Sequence, residues 1–134
     1  ISISWTLNQA FYGELLHRVV QLVAEWVAAG FTHEVLDPDK ISLTGKSFDY
    51  GPFALIEKWY PNFTAADFDQ TGIHVFARQP AICYSSMKLL QEPLVMLISR
   101  DRMEEMLNAF HQIYTDHYCS YLQRRLGFPY GLKE

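Results

Sequence analysis

From about Asn8 to Ala29 the apolar residues Phe11, Leu15, Val19, Leu22, Val23 and Trp26 recur at steps of three and four, and Gly30 follows. That spacing lays one continuous apolar stripe along a helix of about six turns. Such a helix draws most of its stability from packing, so the rest of the chain has to supply elements that cover the stripe. A chain of 134 residues, 49% of them apolar, is long enough to do this as one domain over residues 1–134 and is too apolar to remain disordered.

The remaining segments define what covers the helix. "KISLTGKSFDYG" switches to short β-type runs, Ile41 to Thr44 and Ser47 to Asp49, and Gly45 between them suits a tight turn. This predicts a small β-hairpin within residues 31–51. Residues 52–79 are rich in aromatics and proline without a sustained period, which predicts a long ordered loop. Pro80 opens a helix over 80–99 with a break or kink at Pro93. A last helix over 101–126 has Asp101 and Glu104 as a capping box and an apolar face from Met103 to Leu122, and it is stopped by Gly127 and Pro129. The fold class is therefore mainly α with a small β-hairpin.

Charge and cysteines narrow the function. With 15 acidic and 11 basic residues the net charge is −4, and Arg124-Arg125 is the only basic pair, so the footprint of a nucleic-acid binder is missing. Cys83 and Cys119 form no CxxC pair, which argues against a disulfide framework or thiolate zinc site and for a reducing compartment. No apolar run reaches the roughly 18–20 residues of a membrane span, and "ISISWTLNQ" is not a signal peptide. The expectation is a soluble, cytoplasmic protein. Because residue 1 is Ile rather than Met, a processed product or a piece of a longer one is also consistent.

The chemistry concentrates in "FTHEVLDPDKISLTGKSFDYGPF", where His33, Asp39 and Asp49-Tyr50-Gly51 fall on two turns just after the first helix. Asp favours turns, so solvated turn residues are one reading. The other is a phosphate and metal site, with one carboxylate taking a proton from an attacking hydroxyl and the other holding a divalent cation. His33 reads as a hydrogen-bonded structural residue. His111 and His117, six apart on one helix, occupy different faces and make no two-His site together. His74 with Asp67 and Asp69 reads as a solvated loop. The aromatic loop from Phe53 to Phe63 either packs against the helices or forms a substrate-facing surface.

The order of helix, turn, hairpin and Asp-aromatic-Gly resembles part of the C-terminal lobe of a protein-kinase-like fold, with Asp49 at the position of the metal-binding Asp of Asp-Phe-Gly. Counted from His33, the base position of a kinase His-Arg-Asp falls on Val35, which argues against an ordinary protein kinase. Together with "FTAADFDQTG", "QPAI" and "LLQEPL", the stretch resembles the selenoprotein O family of kinase-like (pseudokinase) protein adenylyltransferases, whose turn reads HGVxNTDN before a hairpin and DYGP. The resemblance runs from about Phe11 to Leu97 and more weakly to about Phe128.

It implies transfer of AMP from ATP to Ser, Thr or Tyr hydroxyls of protein substrates. Asp39 would be the catalytic proton acceptor and Asp49 the metal- and nucleotide-binding residue, with ATP and Mg²⁺ as the ligands. Three positions depart from the pattern: Glu34 for Gly, Asp37 for Asn, and Lys40 for the Asn that ligates metal. A protonated ammonium has no lone pair to offer a cation. The chain also shows no GxG loop, and the phosphate-binding Lys and Arg of the family belong to an N-lobe that is missing here; the redox cysteine of the family corresponds to neither Cys83 nor Cys119. The expectation is a C-lobe segment without activity by itself. The alternative is a degenerate relative retained as a binding or homodimerisation module, its uncovered apolar surface favouring self-association.

Overall fold

The computed structural model describes residues 2–48, 50–51 and 53–128. It is mainly helical with one two-stranded antiparallel sheet. Helix α1, Ser2–Ala29, starts about a turn and a half before the stripe that announced it and stops at Gly30, whose φ of 74° lies in the left-handed region that ends helices. Tyr12, Leu16, Val20, Ala24 and Val27 are as buried as the predicted stripe residues Leu15, Val19, Val23 and Trp26. The helix is therefore covered on two sides, and only the Phe11 end of the stripe is exposed. Each fully buried Leu or Val here contributes about 1.5–3 kcal/mol relative to exposure.

Strand β1, Phe31–Thr32, pairs with β2, Ala54–Leu55, in the register Phe31 to Leu55 and Thr32 to Ala54, and Ile56 N–H extends the ladder to the Gly30 carbonyl at 2.9 Å. This pairing is absent from the sequence reading, which placed the β-structure at 41–49. There the structure has a tight turn with a single bridge, Ile41 to Ser47. Ser42 N–H donates to Lys46 O at 2.7 Å and Phe48 N–H to Lys40 O at 3.1 Å, so the backbone reverses as in a hairpin without building two strands. Gly45 has a φ of 79°, and a Cβ there would stand 2.5 Å from Arg18 Cβ, so the turn rests directly on α1.

Helix α2, Gln79–Leu94, opens with Pro80 in its first turn as expected but ends one residue after Pro93 rather than at 99. Leu97 and Ile98 then donate to the Leu94 carbonyl, and Ile98 is buried. The predicted helix 101–126 is two helices, α3 (Arg100–Leu107) and α4 (Phe110–Arg125), turned at Asn108-Ala109 so that both Leu107 and Phe110 reach the core. Its N-cap is Ser99, two residues before the expected capping box; the predicted stop at Pro129 lies outside the described residues. Helix α4 lies along α1, where Gln21 Nε2 donates to Tyr121 OH at 2.9 Å.

Tyr12, fully buried on α1, donates to Met87 O at 3.1 Å and accepts from Gln91 Nε2 at 3.2 Å. Burial raises the Tyr12 pKa above its ordinary value, against the Gln91 hydrogen bond, which lowers it. Cys83 is buried and its thiol is pushed up to about 12, whereas Cys119 is exposed; both are free. Alkylation of the folded protein at pH 8 is therefore expected to label one thiol, Cys119, with Cys83 reacting only after denaturation. Mass spectrometry showing rapid labelling of Cys83 would refute this packing. Among the described residues no helix is long and apolar enough to cross a membrane.

Candidate functional site

The ladder of β1 with β2 closes the neck of a loop formed by residues 33–53, and this loop carries the predicted site. Leu36 is buried and ties its first limb to the core. After it, Pro38–Lys40 forms a single 3₁₀ turn, with Lys40 N–H donating to Asp37 O at 2.9 Å. Proline at the start of that turn presets its backbone, and no cap hydrogen bond comes from the Asp37 side chain.

Asp39 projects from this turn with its side chain 75% exposed, so its carboxylate is open to an outside group. Lys40 Nζ lies 4.0 Å from Asp39 Oδ2; with so exposed a partner this ion pair is weak and leaves the carboxylate accessible. Through the bond from Phe48 N–H to Lys40 O, the Asp39 turn is joined to the segment that precedes Tyr50-Gly51. Asp49, the second predicted site residue, lies outside the described residues. Glu34, at the family's Gly position, brings its carboxylate against Gly51, filling the space a Cβ would take.

His33 is buried, with its ring between Trp26 at 5.8 Å and Tyr50 at 5.4 Å. Its backbone N–H donates to Gln79 Oε1 at 2.9 Å, and Gln79 Nε2 donates to Phe31 O at 2.9 Å. One buried amide thus satisfies both a donor and an acceptor beside β1 and fixes the direction in which the site loop leaves the core. Gln79 carries a positioning role that the sequence reading did not assign, although "QPAI" held the signal: a glutamine at the mouth of a helix opened by proline. Below the turn, Pro38 and Ile41 join Leu15 and Met87 in lining an apolar cleft of about 220 Å³ that has no charged side chain and so is unsuited to phosphates.

The other candidates stay apart. Asp69 accepts from the backbone N–H of Ile73 at 3.0 Å and of His74 at 2.7 Å, so it orders its own loop. Desolvation opposes ionisation of Asp69, but these backbone donors outweigh it and lower its pKa below the usual carboxylate range. Asp67 and His111 are exposed. Among the described residues no group of three or more His, Cys, Asp and Glu could hold a metal ion. At the turn itself Asp39 neighbours an ammonium rather than a further oxygen donor, so the described residues do not by themselves fit a Mg²⁺ site.

Comparison with known proteins gives the family of the chain. The sequence signature described as Protein adenylyltransferase SelO matches residues 4–134. The chain belongs to the SelO family. Among curated relatives, the "Protein nucleotidyltransferase YdiU" of Trichodesmium erythraeum is 48% identical over 118 residues, covering 88% of this chain and 25% of the relative. The "Protein adenylyltransferase SelO-1, mitochondrial" of Danio rerio is 37% identical over 120 residues, covering 90% of this chain and 17% of the relative. The YdiU of Hahella chejuensis is 34% identical over 88% of this chain and 24% of its own length. The chain thus spans about a quarter or less of these relatives.

Proposed function

We propose that this chain is the portion of a SelO-type protein adenylyltransferase that supplies the proton acceptor, and that it corresponds to part of a kinase-like C-lobe. Asp39 takes the proton from a Ser, Thr or Tyr hydroxyl of a protein substrate. The hydroxyl oxygen then bonds to the α-phosphorus of ATP as the bond to pyrophosphate breaks, leaving AMP on the protein. The observation that carries this reading is the exposed Asp39 on a turn hydrogen-bonded to the segment before Tyr50-Gly51. General-base assistance of this kind contributes typically 10²–10⁴-fold. Asp49 is assigned to ATP and Mg²⁺, Lys40 weakens that metal site, and the segment alone has no transferase activity. The free thiols fit the cytoplasm.

A second reading is favoured by Lys40 and by the exposed apolar side chains of Leu43, Phe48, Tyr50, Phe53 and Leu55: a non-catalytic module whose loop face is covered by another part of the protein or by a second copy. Calorimetric titration of ATP, with and without Mg²⁺, separates the two. The catalytic-segment reading expects Lys40→Asn to gain Mg²⁺-dependent ATP binding that Asp49→Ala removes. Absence of heat in every variant, with a dimer in sedimentation, would establish the module instead. Labelled AMP reaching a protein substrate from this chain alone would overturn the statement that it is inactive by itself.

A further inference from the structure

Across the α1–α4 contact, His17 Nε2 lies 3.2 Å from His117 Nε2, with ring centroids 5.0 Å apart and planes at 78°. We infer that His17 and His117 form a two-imidazole clamp for a divalent cation of the Zn²⁺ class. Zn–N bonds are about 2.0–2.1 Å, so two nitrogens at this separation subtend about 100° at a shared ion, close to tetrahedral. Extending each Zn–N vector by an imidazole radius of about 1.2 Å puts the centroids about 5 Å apart, as observed. A linear N–H···N bond at the same nitrogen distance would hold them at about 5.5 Å. The observed separation is shorter than that of a linear bond and fits two rings bent off the line joining their nitrogens, as ligands of one shared ion would be.

The surroundings hold that geometry. His117 stacks on Tyr121, and Tyr121 OH accepts from Gln21 of α1, so the hydrogen bond that ties the helices also backs one ligand. Two nitrogen donors favour Zn²⁺ and its transition-metal neighbours over Mg²⁺, which prefers oxygen. Water completes the coordination, since no third His, Cys, Asp or Glu joins the pair among the described residues.

Zn²⁺ titrated calorimetrically into the protein at pH 7.5 is expected to fill one site. His17→Gln and His117→Gln should each weaken it by more than the roughly 10- to 100-fold that losing an outer-shell partner costs. His111→Gln should leave binding unchanged, and Mg²⁺ should give no heat at this site. In the unaltered protein, the ring proton resonances of His17 and His117 should shift with Zn²⁺ while those of His33, His74 and His111 do not, a readout independent of how the variants fold. Binding that survives both substitutions, shifts confined to other histidines, or no saturable binding up to millimolar Zn²⁺ would each overturn the assignment.

Discussion

Gln79→Ala is expected to lower the unfolding free energy by about 2–5 kcal/mol, because it strands the His33 N–H and the Phe31 carbonyl in a buried place where each orphan costs about 1–3 kcal/mol. Both partners are held at 2.9 Å, and Gln79 is only 1% exposed, so water does not readily replace the amide. For a domain of this size the thermal midpoint should fall by roughly 10 °C or more. Gln79→Glu keeps the acceptor for His33 but loses the donor to Phe31, and part of its loss should return at acidic pH, where a neutral carboxyl again donates. A Gln79→Ala midpoint within 2 °C of the parent would show that the amide does not hold the site loop.

Phe76→Ala is expected to cost about 3–5 kcal/mol, as truncation of a fully buried aromatic does. Phe76 has no exposed surface, its ring meets Trp59 edge to face at 5.6 Å, and its N–H donates to Phe63 O at 2.8 Å. It pins the long loop between β2 and α2. Phe68, 64% exposed in the same loop, supplies the contrast: Phe68→Ala should change stability by no more than about 0.5 kcal/mol. Chemical denaturation of the two variants checks the pair. Similar midpoints would mean that the loop is not anchored through Phe76.

The reach of the sequence follows from which interactions are local. The end of α1 at Gly30 and the opening of α2 at Pro80 depend on one residue's backbone preference, and both were legible. The sheet was not, because Phe31–Thr32 and Ala54–Leu55 are two residues each, too short to show alternation, and they meet only across the intervening loop. The division of α3 from α4 has no Gly or Pro to mark it; tertiary packing of Leu107 and Phe110 on one core imposes the turn over a continuous helical pattern. At the candidate site, the family motif pointed to Asp39 and Lys40, and the structure puts the two on one 3₁₀ turn. The contact of Glu34 with Gly51 comes from folding distant segments together, so no local pattern announces it, and for the double hydrogen bond of Gln79 the sequence offers only the place of that glutamine before Pro80.

Helix α1 is covered partly by α4, and the pairs that tie them, His17 with His117 and Gln21 with Tyr121, are each 100 positions apart. Some 80 residues separate the end of α1 from the start of α4, which at about 5–20 residues per second takes several seconds or more to synthesise. During that interval the nascent chain carries a finished amphipathic helix whose lid has not yet been made. Holdase binding to α1 on the ribosome should consequently be strongest before residue 110 emerges and fall once α4 docks, and substitutions that weaken the α1–α4 contact should prolong the chaperone-bound stage.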